Sequence, residues 1–304
     1  MNISILYGGW SAEHKISIQT GLAVAGAIRE KYNLDLVDFT ESILQNPQRL
    51  LEADIVFNAL HGGAGEDGTI QSFFELHNIV YTGSDSKASK IAMNKNLAKL
   101  LVKSIGVQTP NWVVIKNEPG AGIKFYDQNS ERFSLPFIVK PASEGSTYGI
   151  SLVSDEAGLS EAISKAASFS RDVIIEEYIG GRELTVGILD GKVLPIVEIK
   201  PVNEIYDFEC KYSEGKSEYV IPADINESIE RKISEDSLKI FNVIGCRHYG
   251  RVDFRLDSDG NYYFLELNTL PGMTSNSLLP KAANQAGLGF SELINTIIKS
   301  ALTI

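Results

Sequence analysis

The chain has 304 residues, 43% hydrophobic and 22% charged, with a net charge of −11 from 28 basic and 39 acidic side chains. This is a globular composition, long enough for a large core and about two domains, and it offers no global positive field for nucleic acid or anionic lipid. The start MNISILYGGWS lacks a basic n-region, no apolar run approaches the ~18 residues of a membrane span, and Cys210 and Cys246 stand alone, so a soluble cytoplasmic protein with reduced thiols is expected.

The first ~90 residues alternate strand-like and helix-like segments. ISILY (3–7), LDLVDF (34–39), DIVFNAL (54–60) and IVYTG (79–83) read as short strands, and Ile18, Leu22, Ala25 and Ile28 mark the buried face of the first helix. This βαβ rhythm predicts a parallel, Rossmann-like sheet whose strand C-termini open into a binding crevice. The loops GGWSAEHKIS (8–17) and HGGAGEDGT (61–69) bring Glu13, His14 and His61 to that crevice. A lone histidine there is more often structural than a ligand.

A helix over 86–104 ends at Gly106, and TPNWVVI (109–115) reads as a strand before the polar segment 116–134. PFIVKPASEGSTYGISLV (136–153) is strand, glycine-bearing loop and strand; a helix near 156–168 and the strand VIIEEY (173–178) complete an α+β unit. RELTVGILDGKVLPIVEIKP (182–201) is a hairpin about Asp190-Gly191, and the polar, aromatic segment after it is a long loop of the kind that usually carries function. A helix with Ile229, Ile233, Ile240 and Ile244 on one face follows, then a second hairpin, RVDFRLDSDGNYYFLELNTLPGMT (251–274), and a last helix burying Leu293, Ile294, Ile297 and Ile298. The expected units are 1–93, 94–177 and 178–304.

In the second hairpin, side chains alternate between faces. Val252, Phe254 and Leu256 share one face of the outgoing strand, with Arg251, Asp253 and Arg255 on the other; on the return strand Tyr263, Leu265 and Leu267 lie opposite Phe264, Glu266 and Asn268. If the apolar sets pack together, Asp253, Glu266 and Asn268 gather as two carboxylates and an amide oxygen, donors that suit Mg²⁺. A solvated sheet face is the alternative, and DSDG lacks EF-hand spacing and reads as a turn.

KPASEGSTYGI (140–150) lets backbone approach a ligand at Gly145 and Gly149, with Lys140 placed to reach a phosphate. It is neither a P-loop nor a GxGxxG motif, and a flexible turn is its plainer reading. IIEEYIGGRE (174–183) offers backbone groups and carboxylates for an adenine and a ribose, or is a charged edge loop. Ser146 sits in GSTYG rather than GxSxG, which does not support a serine triad.

Taken in order, GGWSAEHKIS, LHGGAGEDGTIQ, YTGS, VKPASEGSTYGIS, EEYIGGRELTVG, EIYDFECKY, GCRHYGRVDF and LELNTLPGMTSNSLLP resemble the D-alanine–D-alanine ligase family of the ATP-grasp superfamily, from about residue 3 to about residue 300. The resemblance implies an ATP-grasp fold: a substrate-side domain (1–93), then central (94–177) and C-terminal (178–304) α+β units that clamp ATP. It implies ligation of two D-alanines through a D-alanyl phosphate, for peptidoglycan and cell-wall synthesis, with ATP and two Mg²⁺ ions that Mn²⁺ could replace. Lys95, Lys140 and Lys211 would contact phosphates; Glu176, Glu177, Ile179 and Glu183 would line the adenine and ribose site; Asp253, Glu266 and Asn268 would hold metal. Glu13 would meet the first substrate's ammonium in a network with Ser146 and Tyr212, with His61 near that substrate. Arg251 and the Gly272 N–H would stabilise the oxyanion, and Ser277 and Leu278 would receive the second carboxylate.

The segments Ser143–Thr147 and Tyr206–Tyr212 are the expected lids, and a homodimer is implied. Asn94 replaces the commoner Asp and Phe208 the commoner Tyr, departures that bear on affinity. Tyr212 favours an amine over D-lactate as the second substrate. The competing readings are another ATP-grasp carboxylate–amine ligase, such as one making D-Ala-D-Lac or D-Ala-D-Ser, and a nucleotide-sensing module of the same fold, against which the oxyanion and metal sets argue.

Overall fold

The computed structural model describes residues 1–116, 118, 125, 133–201 and 217–303. Its first unit runs β1 (Asn2–Tyr7), α1 (His14–Ile28), β2 (Asn33–Asp38), α2 (Glu41–Gln45), α3 (Gln48–Leu51), β3 (Ile55–Asn58) and α4 (Thr69–Leu76). The sheet is parallel, in the order β2-β1-β3. IVYTG adds only a bridge from Tyr81 to Val56, because the chain turns away at Gly83, where φ is +99°.

The buried face of α1 also differs from expectation. Leu22 is 54% exposed, while Ser17, Thr20, Gly21, Val24 and Ile28 face inward. A Cβ on Gly21 would lie 2.7 Å from that of Tyr7, so the glycine permits close packing on β1. The Ser17 hydroxyl accepts from Gly8 N–H at 2.8 Å and donates to the Ala59 carbonyl at 2.8 Å. Small and hydroxyl side chains face the sheet here because they brace the loops at its edge, and a hydrophobicity pattern is blind to that.

The expected helix over 86–104 is two helices, α5 (Ser86–Met93) and α6 (Lys95–Ser104). Asn94 breaks them with ψ 96° and caps α6 by accepting from Leu97 N–H at 3.1 Å. An amide oxygen fills this capping role as a carboxylate would.

The second unit comprises β4 (Trp112–Lys116), β5 (Phe137–Pro141), β6 (Ser151–Val153), α7 (Leu159–Ala167) and β7 (Asp172–Glu177). Its antiparallel sheet, ordered β4-β7-β5-β6, packs Val139, Val173 and Ile175 against Leu159, Ile163 and Ala166 of α7.

The third unit runs β8 (Arg182–Leu189), β9 (Lys192–Val193), β10 (Val197–Pro201), β11 (Ser217–Val220), α8 (Glu227–Ile244), β12 (Tyr249–Leu256), β13 (Tyr262–Asn268), α9 (Leu278–Gln285) and α10 (Phe290–Ala301). Its described strands are ordered β11-β10-β8-β12-β13, with β9 on β8. Asp190 and Gly191 both have positive φ, 49° and 71°, as a tight hairpin turn requires. Val186, Ile188, Val252 and Phe254 share a core with α8, α5 and α6; Leu189, Val197 and Ile199 share another with α9, α10 and the first sheet. The expected division near residue 93 therefore falls between two helices of one core. Among the described residues no helix is long and apolar enough to cross a membrane.

Candidate active site

Two adjoining clefts meet at Lys95 and Glu266, which line both. The hairpin between them departs from simple alternation. Arg251 pairs with Asn268, Val252 with Leu267 and Asp253 with Glu266, but the register then slips, so that Phe254 faces Phe264. This β-bulge buries Phe264 and Leu267 together in the core and turns both Leu265 and Glu266 toward the cleft that Lys140 and Glu176 also line. The placement of Glu266 and Asn268 on the cleft face thus agrees with expectation, whereas Phe264 and Leu265 exchange sides. DSDG is a turn: the Asp257 carboxylate accepts from the N–H groups of Asp259 at 3.0 Å and Asn261 at 2.8 Å.

Asp253 and Glu266 each already hold a cation. Arg251 forks onto Asp253 with two contacts of 2.9 Å, and Thr185 Oγ1 donates to Asp253 at 2.5 Å. Lys95 Nζ lies 3.0 Å from Glu266 Oε2 and donates to the Glu144 carbonyl at 2.6 Å. Asn268 Oδ1 accepts from Leu270 N–H at 2.9 Å and keeps a second lone pair. Hard oxygen donors that already draw cations fit a divalent metal.

The first cleft brings together Glu13, His61, Ser146, Arg251, Asn268, Gly272, Ser277 and Leu278. Glu13 is 6% exposed at the start of α1. A Cβ on Gly145 would stand 3.1 Å from its Oε1, so the 143–147 loop lies against it. His61 Nε2 bonds Thr20 Oγ1 at 2.9 Å and Nδ1 faces Glu66 Oε1 at 3.4 Å. One ligand atom from each of Glu13, His61 and Glu66 lies within 4.8 Å of the others. Such a buried acidic corner suits an ammonium. His14 instead turns its Nδ1 to the Gly9 carbonyl, at 2.5 Å.

In the same cleft Ser277 stands at the N-cap position of α9 without a side-chain bond into the helix; its Oγ accepts the Thr274 N–H at 3.1 Å, and a Cβ on Gly272 would come within 2.9 Å of that oxygen. The helix N-terminus thus faces the cleft with donors suited to a carboxylate. Ser146 and Thr147 hold φ at 48° and 64°, strained values for such side chains, in the loop that covers both clefts.

The second cleft is lined by Lys140, Glu176, Glu177, Ile179 and Glu183, with Asp253, Arg255 and Leu265. Glu176 is 2% exposed, and its carboxylate turns away from the open space onto Lys140 at 2.5 Å and Lys99 at 2.9 Å. Burial alone would raise its pKa, but the two lysines bring it below the usual carboxylate range. Arg255 bonds the Ile179 carbonyl at 3.1 Å and Glu183 at 3.2 Å, fixing the turn at the cleft's rim. Lys211, Tyr212, Phe208 and the expected lid segment Tyr206–Tyr212 lie outside the described residues.

Sequence reading gave no role to Glu66, Lys99, Arg255 or Leu265. Glu66 lies inside the HGGAGEDGT loop, and Lys99 follows Lys95 by one helical turn, a spacing that puts both on one face. Arg255 shares the face of Asp253 by parity, but nothing in the sequence marks the bulge that turns Leu265.

Family models described as D-ala D-ala ligase C-terminus and N-terminus match residues 101–299 and 40–84. The D-alanine–D-alanine ligase of Aquifex aeolicus is 43% identical over 304 residues, covering 98% of this chain and 100% of its own, and that of Syntrophotalea carbinolica is 40% identical over 300, covering 98% and 95%. Among solved structures, the Bacillus anthracis D-alanine–D-alanine ligase complexed with ATP superposes with TM-score 0.84 at 31% identity, covering 100% of this chain and 97% of the other. The VanG D-Ala:D-Ser ligase of Enterococcus faecalis gives 0.81 at 29%, covering 99% of each.

Proposed function

The chain belongs to the D-alanine–D-alanine ligase family, and from that premise we propose that its two clefts join two D-alanines at the expense of ATP, for cell-wall synthesis. The fold is the ATP-grasp fold of that family. The observation that carries the reading is the shared wall of Lys95 and Glu266 between a lysine-lined cleft and one lined by both an acidic corner and a helix N-terminus.

In this reading ATP lies in the second cleft, its base and ribose along Glu177, Ile179 and Glu183 and its phosphates toward Lys140 and Lys95. Glu13 binds the first D-alanine's ammonium, with His61 and Glu66 behind it. Its carboxylate oxygen attacks the γ-phosphorus; the bond to ADP breaks, and a D-alanyl phosphate forms. The second D-alanine binds by its carboxylate at Ser277 and Leu278. Its free amine attacks the acyl carbon, and Arg251 with the Gly272 N–H donates to the oxyanion until the C–O bond to phosphate breaks; phosphate leaves with the electron pair and takes up the proton that the nitrogen sheds. The 143–147 loop excludes water that would hydrolyse the acyl phosphate.

Asp253, Glu266 and Asn268 would hold two Mg²⁺ ions, which neutralise phosphate charge when bound. Homodimerisation and a cytoplasmic location belong to the same proposal, supported by family membership alone.

Phosphate release from ATP and Mg²⁺ is the test, run with D-alanine, L-alanine, D-serine or D-lactate. Release with D-alanine and little with L-alanine is expected. Release independent of D-alanine would remove the ligase reading, and a dominant D-serine or D-lactate product would reassign the second substrate.

A further inference from the structure

Lys99 is fully buried, and the reaction above gives it no part. Its Nζ lies 2.9 Å from Glu176 Oε2, donates to Thr109 Oγ1 at 2.6 Å and to the Pro110 carbonyl at 3.3 Å, and stands 5.1 Å from the centre of the Trp112 ring. The other oxygen of Glu176 holds Lys140. Thr109 Oγ1 in turn donates to the Phe264 carbonyl at 2.9 Å, on the strand that carries Glu266. The chain Lys140–Glu176–Lys99–Thr109–Phe264 therefore links the phosphate-side lysine to the metal-side hairpin.

Charge gives this link a purpose. Two ammonium groups share one carboxylate, so the buried triad carries one net positive charge. Were Glu176 paired with Lys140 alone, the pair would be neutral and would offer an anion little. With Lys99 compensating Glu176, the charge of Lys140 stays available to a phosphate.

We propose that Lys99 is a positioning residue for ATP: acting through Glu176, it fixes the ammonium of Lys140 and leaves its charge directed at the phosphates. This rests on the reading that Lys140 meets ATP phosphates. The groups facing Lys99 are Glu176 from β7, Lys140 from β5, and the neutral Thr109, Pro110 and Trp112; Lys103 of its own helix stands over the same ring at 5.7 Å. Burial pushes the Lys99 ammonium down to about 8, against the pull of Glu176 and with the push of Lys140. A lysine loses its charge as pH rises, so the support it gives is complete in neutral solution and fades above that value.

The test measures ATP KM, D-alanine KM and kcat of the full chain from pH 6.5 to 9.5. For the wild type, ATP KM is expected to rise above about pH 8 while D-alanine KM does not follow. Lys99→Met should raise ATP KM roughly ten- to hundredfold at pH 7, the range for losing a charge-assisted hydrogen bond, with a much smaller change in kcat and no rise above pH 8. If thermal melting shows that variant unfolded, Glu176→Gln decides: it keeps the volume but removes the carboxylate through which Lys99 holds Lys140. ATP KM should then rise, by less than in Lys99→Met because Lys140 keeps its charge, and the pH limb should move downward because Lys99 loses its counter-charge. ATP KM within twofold of wild type in the folded variant, with the same pH limb, overturns the proposal and leaves Lys99 as packing. If the wild type shows no D-alanine-dependent turnover, the ligase reading fails instead, and calorimetric ATP titration of the same proteins still tests Lys99.

Discussion

Asp253 and Glu266 are register partners across β12 and β13, and each is already held by a cation, Asp253 by the fork of Arg251 and Glu266 by Lys95 at 3.0 Å. Glu266→Gln keeps the shape of the strand and removes the charge that both Lys95 and a metal would need. Turnover should fall at least a hundredfold, the scale of losing one group that stabilises transition-state charge, while the melting temperature moves by only a few degrees. Turnover within tenfold of wild type in phosphate release would show that the carboxylate is not part of the metal set.

The close approach of Gly272 to Ser277 gives a second, more local test. Gly272→Ala must push its methyl against the Ser277 oxygen 2.9 Å away, displacing that hydroxyl from the Thr274 N–H or shifting the Gly272 backbone N–H. The expected result is a rise of tenfold or more in D-alanine KM, with ATP KM unchanged if ATP binds in the other cleft as proposed. Equal losses for both substrates would point to general disruption.

Gly21→Ala probes the packing behind the first cleft. The added methyl would lie 2.7 Å from Tyr7 Cβ and 3.0 Å from Cγ, so α1 must shift off β1. Overpacking of this kind costs roughly 1–3 kcal/mol, offset by nearly 1 kcal/mol of helix propensity, and a net loss of about 1–2 kcal/mol in urea denaturation is expected. Glu13 stands at the start of the same helix, so D-alanine KM should rise with the loss of stability. An unchanged denaturation midpoint would mean that the helix accommodates the methyl freely.

The sequence showed the framework well where burial and chemistry coincide. The last helix buries the four residues its period selects, Leu293, Ile294, Ile297 and Ile298, because its apolar face has only packing to do. It misled where a buried surface also serves the site: α1 turns Ser17, Thr20 and Gly21 inward and leaves Leu22 in solvent. In the hairpin, strict alternation placed Asp253, Glu266 and Asn268 together but could not foresee a bulge, since one extra residue leaves no mark in composition. The helix α9 was missed for a related reason: Ser277 and Leu278 stood out as a substrate motif, and the same serine is the helix cap. The pairing of Glu176 with two lysines is a contact among β5, β7 and α6, and no local spacing encodes it.

His248 supplies a prediction about stability rather than turnover. It holds φ at +61°, a strained value for a histidine, and its Nδ1 accepts the Gly83 N–H at 3.0 Å, tying the end of the first unit to the start of β12. Among the described residues its Nε2 is buried without a hydrogen-bond partner. Burial, aided by the charge of Arg247, lowers the imidazole from 6.5 to about 4, so the folded chain keeps it neutral. Above pH 6.5 folded and unfolded chains agree in protonation, and the ring adds no pH dependence to stability. Between pH 6.5 and 4 the unfolded chain takes a proton that the folded one refuses, so stability falls as pH drops and levels off below 4, by at most about 3 kcal/mol. His248→Gly relieves the backbone but loses the bond to Gly83, so a change of roughly 1 kcal/mol or less is expected at pH 7.5. Its denaturation free energy should decline less steeply than that of the wild type from pH 6.5 to 4. Parallel pH profiles for the two proteins would show that His248 titrates as freely in the folded chain as in the unfolded one.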